Sequence, residues 1–457
     1  MRILLISPKS PVPIGTKREK AIQFARLSLA TVAALFPKDA EIKIINDSID
    51  GINFDEKVDM VGISVITSTA PRAYEIADRF RERGVSVILG GFHTSALPEE
   101  AALHADAVVI GEAEGVMHDL LDDFKNGKLK QFYRSIERAD LANLPLPRKD
   151  LLFGNKYYKE FDMIQTTRGC PFSCDFCSVT KFYGRTYRRR PIKDVIWEIK
   201  QSRQRTIRFF VDDNIAGHPK YAKQLFRALI PLRIKWFGQA SIIIARDKEL
   251  LRLAAESGCI SLYIGFESLS PDSLKEVGKR VNLLQDYKVG IKKIHDGGIG
   301  IIGAFIFGFD SDELGVFEET VDFIDRNQIE LASFAILTPL PGTQFHKRMK
   351  EQGRIIEDNW SKYTCGEVVF QPKLLTVDQL QSGYYWTRKQ VSSFRSIFQR
   401  TLHLRKTALL FLPVNLIMRK GVRAHLRDPS VSSIVTRRYF QGSKVTDLVK
   451  RRIRELP

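Results

Sequence analysis

Cys170, Cys174 and Cys177 fall within eight residues of one another, in the run Thr166-Thr167-Arg168-Gly169-Cys170-Pro171-Phe172-Ser173-Cys174-Asp175-Phe176-Cys177. Thiolates are soft ligands that favour zinc or iron–sulfur clusters. Gly169 and Pro171 break regular structure, so the loop can wrap its three sulfurs around one centre. A cluster normally takes four thiolates, and the nearest fourth, Cys259, lies about eighty residues further on. Three ligands leave one metal position open to substrate or cofactor, as catalytic sites do. Structural zinc is the competing reading. It wants four ligands in paired units, and no histidine follows the triplet within about twenty residues. A bacterial-ferredoxin run would hold its cysteines closer, with a fourth nearby. Five cysteines are too few for a disulfide framework, and Cys259 and Cys365 read as small buried apolar residues.

An open metal position needs elements that present it. The chain has 457 residues, 44% hydrophobic and 27% charged, enough for two or three domains. Its first part alternates strand and helix patterns: RILLIS (2–7), a helical AIQFARLSLATVAALF (21–36), EIKIIND (41–47), MVGISVI (60–66), AYEIADRFRERG (73–84), VSVILGG (85–91) and AVVIGE (107–112). Continuous apolar strands separated by helices predict a parallel sheet covered on both faces. Ligands of such sheets bind at the carboxyl ends of the strands, here Ser7, Ser64, Gly90, Gly91, Gly111 and Glu112. LANLPLPRKD punctuates a linker, and a second alternation begins with MIQTTRG (163–169) and runs to FAILTPLPG (334–342). Its six or so strand–helix units predict a partial or complete parallel barrel with the cysteines at its carboxyl edge.

The C-x3-C-x2-C spacing, with aromatic Phe176 before the last cysteine, resembles the radical S-adenosylmethionine (SAM) superfamily. The resemblance implies a [4Fe-4S] cluster on Cys170, Cys174 and Cys177, whose open iron chelates the amino and carboxyl groups of SAM. One-electron cleavage then gives a 5′-deoxyadenosyl radical that abstracts hydrogen, with a donor such as flavodoxin or ferredoxin. On the same ground SAM is assigned Phe176, Asp212 and Asp213 of FFVDDN (209–214), Glu267 of IGFES (264–268), Gly303 of GIIGAFIFGF (300–309) and Pro339 of TPLPGT (338–343). By residue type alone the aspartates read equally as a helix N-cap cluster and Glu267 as a solvated strand end. Gly303 could equally mark a strand bend.

The first domain is similar to the cobalamin-binding domain that precedes the radical domain in one large subgroup. The similarity rests on VGIS (61–64), LGGFHTSALPEE (89–100) and VVIGEAE (108–114). It implies that Ser7, Ser64, Gly90, Gly91, Gly111 and Glu112 meet cobalamin. The D-x-H-x-x-G run that supplies a histidine to cobalt is absent, and His93 and His104 near this edge stand in other contexts. No cysteine precedes Cys170, which excludes the methylthiotransferases with their second cluster.

The expected fold class is α/β: a doubly wound, Rossmann-like cobalamin-binding domain (1–135), a linker (136–158), a partial TIM-type (β/α)6 radical SAM barrel (159–372) and a basic helical region (373–457). The net charge of +18 belongs mostly to the end, where 17 Lys and Arg against three acidic residues follow position 387. There Ala408–Met418 is apolar, interrupted by Pro413 and bracketed by Arg405-Lys406 and Arg419-Lys420. Such a helix either lies on an anionic membrane surface or caps the barrel with a solvated basic face. Nucleic acid is not an expected partner, since no recognised module is visible. No apolar run reaches the length of a spanning helix, and the N-terminus lacks a signal peptide's pattern. A cytoplasmic protein is expected, peripheral at the inner membrane face if the tail binds lipid. The reaction implied is methyl transfer to an unactivated carbon of a small or lipid-like molecule. The alternatives are a related ring formation, carbon–carbon coupling or oxidation, and, in another class, a non-catalytic metal module that binds nucleic acid.

Overall fold

The computed structural model describes residues 1–11, 27–152, 161–202, 207–279, 284–402, 405–428 and 431. The first sheet contains β1 (Arg2–Ser7), β2 (Glu41–Asn46), β3 (Met60–Ser64), β4 (Ser86–Gly90), β5 (Ala107–Ile110) and β6 (Phe132–Arg134). All pair in parallel in the order β2-β1-β3-β4-β5-β6. The order reverses between β1 and β3, the kind of switch point where doubly wound sheets bind ligands. Alternate side chains leave opposite faces: Leu4, Ile6, Val61 and Ile63 enter one core, Ile3, Leu5 and Met60 the other. Burial on both faces is why these strands read as unbroken apolar runs. Strand β6 was not expected; it is three residues long and only Tyr133 is buried. Of the expected helix 21–36, residues 21–26 lie outside the described ones, Leu27–Ala33 is helical and 34–36 form a turn.

The second sheet contains β7 (Phe161–Ile164), β10 (Ile207–Phe210), β11 (Trp236–Ala240), β12 (Cys259–Glu267), β13 (Gly300–Phe307) and β14 (Leu331–Ile336), parallel and in chain order. This is the arrangement of a partial (β/α) barrel. Between β7 and β10 a short antiparallel ladder joins β8 (Thr167–Arg168) to β9 (Arg188–Arg189). On β13, Ile301, Phe305 and Phe307 are buried, while Ile302, Ala304 and Ile306 are half-buried. The run Trp236–Ile244 is strand only to Ala240; Ile242–Arg246 turns into a 3-10 helix.

The connector is no free tether. The Arg148 amide donates to Ala30 at 2.9 Å, and Lys149 pairs with Asp162 (2.8 Å) and Glu198 (2.7 Å). At the other end of the chain, the helix Arg405–Leu426 packs under the barrel. Phe411 fills the space above Gly300, and Asn415 Nδ2 donates to the Glu330 carbonyl at 2.9 Å. Arg400 is fully buried and donates to the carbonyls of Ile329, Glu330 and Val391. Gly300 and Glu330 stand at the amino ends of β13 and β14, so this part of the tail caps the end opposite the cysteines. Among the described residues no helix is long and apolar enough to cross a membrane.

Candidate active site between the two sheets

The cysteine loop leaves β8 at Gly169, whose φ of 88° suits glycine and where a Cβ would collide with the Thr186 carbonyl. All three cysteines are free and half-buried. The Cys177 amide donates to the Cys174 carbonyl at 3.1 Å, the Asp175 amide to Val277 at 3.2 Å, and Arg348 pairs with Asp175 at 3.1 Å. Burial pushes the thiols up, Cys174 to about 12, against the nearby Lys279 ammonium. Backbone N–H groups oppose that rise as well, from Phe172 at Cys170 and from Val179 and Thr180 at Cys177. A metal displaces these protons, and the donors then favour the anionic sulfurs. Phe176 packs against the apolar group around Val277, Phe309, Leu337 and Phe345.

The structure separates the residues assigned to SAM. Asp212 is fully buried; its Oδ1 accepts from the Thr166 amide (2.9 Å), the Thr166 hydroxyl (3.0 Å), the Thr167 hydroxyl (2.6 Å) and the Thr167 amide. Through Oδ1 it staples the end of β10 to the entry of the cysteine loop, and its buried Oδ2 has no hydrogen-bond partner among the described residues. Asp213 stands nearer the cysteines: it accepts from the Gly169 amide at 3.2 Å, and burial raises its carboxyl to about 6. Glu267 sits at a register shift on β12 with φ 64° and pairs with Lys279, which also donates to the Gly265 carbonyl at 3.0 Å. Lys279 belongs to no motif and was missed. At Gly303 a Cβ would stand 3.0 Å from Phe305 and 3.3 Å from Phe266, so the glycine makes room for that aromatic stack. Pro339 is buried just after β14.

Two adjoining cavities occupy the carboxyl edge of the first sheet. One of ≈ 370 Å³ runs along the apolar sheet face under Leu27–Val32, past Leu5 and Met60, to Ser64, Gly90, Gly91, Gly111 and Glu112 at the strand ends, and reaches Arg168 and Tyr183. The other, ≈ 680 Å³, lies between Gly111 and Ser135 on one side and Ser178, Lys181, Phe182 and Pro341 on the other. Ile66, Phe92, Gly111 and Phe182 line both. Ser64, Gly90, Gly91 and Gly111 line the smaller cavity. Ser7 lines neither cavity; it is buried and its carbonyl accepts from the Asp47 amide at 3.0 Å. The Glu112 carboxylate is held by arginines, 2.7 Å from Arg168 and 2.9 Å from Arg188, at the point where the cavity reaches Arg168. His93 lines neither cavity and meets Glu100 at 3.1 Å, which also accepts from Tyr74 and Trp360; His104 pairs with Asp78. Ile66, Thr67, Ser135 and Lys181 carry no motif, and only the folded chain shows that they share a cavity.

The radical SAM superfamily model matches residues 164–324, and the B12 binding domain model matches 27–121. The bacteriochlorophyllide d C-12(1)-methyltransferase of Chlorobaculum tepidum is 34% identical over 87% of this chain and 88% of its own length. The chain belongs to the radical SAM superfamily, in the branch with a B12-binding domain. The bacteriochlorophyllide d C-8(2)-methyltransferase of the same organism is 31% identical over 88% of this chain and 92% of its own. Among solved structures, the cobalamin-dependent SAM radical enzyme OxsB, with aqua-cobalamin and SAM bound, superposes with a TM-score of 0.70 at 15% identity. That match covers 99% of this chain and 75% of OxsB, and shows that the fold is shared. The family's cofactors are a [4Fe-4S] cluster, SAM and cobalamin. The donor types match them, three thiols on one loop with N–H donors beside Cys170 and Cys177, while among the described residues no three His, Cys, Asp or Glu side chains stand grouped around a metal position.

Proposed function

We propose that this protein transfers a methyl group to an unactivated carbon of a flat, largely apolar ring molecule such as a chlorin. The observation that carries the reading is the ≈ 680 Å³ cavity, walled by the carboxyl edge of the first sheet and by Ser178–Phe182, the segment that directly follows Cys177. The names of the two Chlorobaculum relatives support the substrate class. When bound, the cofactors supply one-electron cleavage of SAM and a transferable methyl group. The chain's residues do the rest. Cys170, Cys174 and Cys177 fix the cluster at three points, and Asp213 and the Glu267–Lys279 pair stand near it to orient SAM. Gly90 and Gly111 admit cobalamin close to backbone, and Gly91 makes the turn between Gly90 and Phe92. Phe92 and Phe182, stacked at 4.4 Å, give the substrate a flat apolar wall, and Lys181 a cation for an acidic substituent. Anaerobic incubation of the reduced, cobalamin-loaded enzyme with SAM and a panel of chlorophyllides tests this. Methylated product with both 5′-deoxyadenosine and S-adenosylhomocysteine is expected; 5′-deoxyadenosine with a modified but unmethylated product would move the reaction to ring formation or oxidation.

The domain division at 135, 158 and 372 is kept as part of the proposal, supported by a first sheet that ends at Arg134 and a second that begins at Phe161. Peripheral contact with an anionic membrane surface is supported by Phe394, Phe398 and Leu402, spaced four apart and exposed by 50%, 42% and 55%. Leu409 on the next helix is 85% exposed, and Arg395, Lys420 and Arg423 are exposed on the same two helices. Basic residues flanking an exposed apolar stripe suit such a surface. Flotation with vesicles rich in phosphatidylglycerol should recover the protein, and Phe394→Ser with Phe398→Ser should abolish recovery; equal recovery of both proteins defeats the idea.

A further inference from the structure

Two segments that adjoin the cysteine ligands are clamped to the first sheet. Arg168, two residues before Cys170, is only 5% exposed. Its guanidinium meets Glu112 at 2.7 Å and Glu114 at 2.6 Å, while its Nε donates to Gln165 at 2.9 Å. Arg188, its partner in the β8–β9 ladder, meets the other Glu112 oxygen at 2.9 Å and donates to the Ala139 carbonyl at 2.8 Å. Glu112 is 3% exposed, and both its oxygens are held by arginines. Both glutamates follow Gly111, which lines the two cavities. Beyond the cluster, Phe182 stacks on Phe92 at 4.4 Å and Tyr183 meets the same ring edge-on at 6.1 Å. Phe92 follows Gly91 at the end of β4.

The loop that carries Cys170, Cys174 and Cys177 is therefore bracketed, by an ionic clamp onto the end of β5 and an aromatic clamp onto the end of β4. Two arginines and two glutamates in a nearly dry site form short, charge-assisted hydrogen bonds whose forked geometry tolerates little displacement. Buried ion pairs add little net stability against apolar residues of the same size, but they fix one arrangement where the partners are matched. Stability alone gives no reason to put four ionised groups at this joint. Holding two sites in register does.

We propose that Arg168, through Glu112 and Glu114, is a positioning residue that sets the register of the cluster loop against the cobalamin-binding edge, so that the spacing between the two cofactors is fixed by residues adjoining the cluster ligands. The proposal rests on the cobalamin reading above. Arg168 touches neither substrate nor the reacting atoms; it acts through the loop it anchors.

The test uses the full chain as wild type, Glu112→Gln, Glu114→Gln and Arg168→Lys, with the exposed-pair variant Glu249→Gln as control. Hydrogen exchange is read first, without cofactors. Glu112→Gln should speed exchange about tenfold, the factor that ~1.4 kcal/mol of local stability represents, in 92–96 and 169–183 together. Exchange elsewhere in both sheets should stay at the wild-type rate. Glu114→Gln and Arg168→Lys should fall between, since one ammonium cannot serve two carboxylates as a guanidinium does. The second readout is the electron spin relaxation of cob(II)alamin in cluster-loaded protein, with and without reduction of the cluster. Reduction should speed relaxation in wild type, and Glu112→Gln should lose most of that enhancement while keeping wild-type iron and corrinoid content. Exchange that is unchanged, confined to one segment, or raised throughout both sheets overturns the proposal, and so does an undiminished relaxation enhancement. Wild type that takes up no corrinoid would instead defeat the proposed function, and the exchange result would still decide whether the clamp sets the loop.

Discussion

Adjacent glycines at the end of β4 offer a sharp experiment, because the same substitution should fail for different reasons at each. Gly91 has φ 118°, and a Cβ there would stand 2.5 Å from the Val65 carbonyl oxygen and 2.9 Å from its nitrogen. Both neighbours are backbone, tied by the Val65 amide bond to Gly90 (2.8 Å) and the His93 amide bond to Val65 (3.2 Å), so neither can swing aside. Strained backbone at such a φ costs about 1–3 kcal/mol, and forced overpacking about as much again. Gly91→Ala should therefore lose about 4 kcal/mol, which at a urea slope of roughly 3 kcal/mol/M lowers the unfolding midpoint by about 1 M. At Gly90 a Cβ would meet only Val109, at an ordinary 3.6 Å. Exchanging glycine for alanine in a strand gains about 0.5–1 kcal/mol, so Gly90→Ala should unfold at or slightly above the wild-type midpoint. Its methyl group enters the ≈ 370 Å³ cavity instead and should cut the corrinoid retained by protein from cobalamin-fed cells. Urea unfolding followed by far-ultraviolet circular dichroism and the visible corrinoid band give the two readouts. Equal midpoints for the two variants, or full corrinoid retention by Gly90→Ala, would refute the division of labour.

Cys177→Ala should bind less iron after anaerobic reconstitution and form no 5′-deoxyadenosine, because the remaining two thiols cannot hold the cluster; wild-type iron content would contradict the three-cysteine site. Asp312 is fully buried, and desolvation raises its carboxyl from 3.8 to about 7 despite N–H bonds from Gly308 and Phe309. A raised carboxyl contributes stability that is whole below about pH 4 and is lost as pH climbs through about 7, a swing of up to about 4 kcal/mol. Asp312→Asn cannot titrate, so its urea midpoint should gain on wild type between pH 4.5 and pH 8, and a gap that stays constant or narrows contradicts the assignment. Gly300→Ala would drive a methyl group into Phe411 and lift the helix Arg405–Leu426 from the barrel, which limited proteolysis should detect as faster cleavage there than in wild type.

Much of this architecture is visible in the chain. Unbroken apolar runs such as RILLIS and MVGIS announced strands buried on both faces, since a parallel sheet under helices leaves no wet side. The tail was harder. Its apolar run reads equally as a membrane helix or a barrel cap, because hydrophobicity does not say what covers it. The structure buries Phe411 and Asn415 against the barrel and leaves Leu409 exposed. Asp212 and Asp213 look alike in FFVDDN, but in the loop after β10 one is spent on Thr166 and Thr167 and the other bonds the Gly169 amide next to Cys170.

The chain alone shows three thiols on one short loop, because their spacing is set along the backbone, and its motifs point to the family whose cofactors include a [4Fe-4S] cluster. It also determined the glycines at the strand ends, where the turn into the next element is local. Partnerships between distant residues were decided only in the folded molecule. Glu112 reads as a strand-end acid until Arg168, 56 residues on, closes on it; Glu100 finds Trp360 at a separation of 260. Charge and hydrogen bonding depend on distance in space, and a linear chain fixes that distance only for near neighbours. The cysteine loop was therefore legible from its own residues, whereas the clamp that aims it at the cobalamin edge was not.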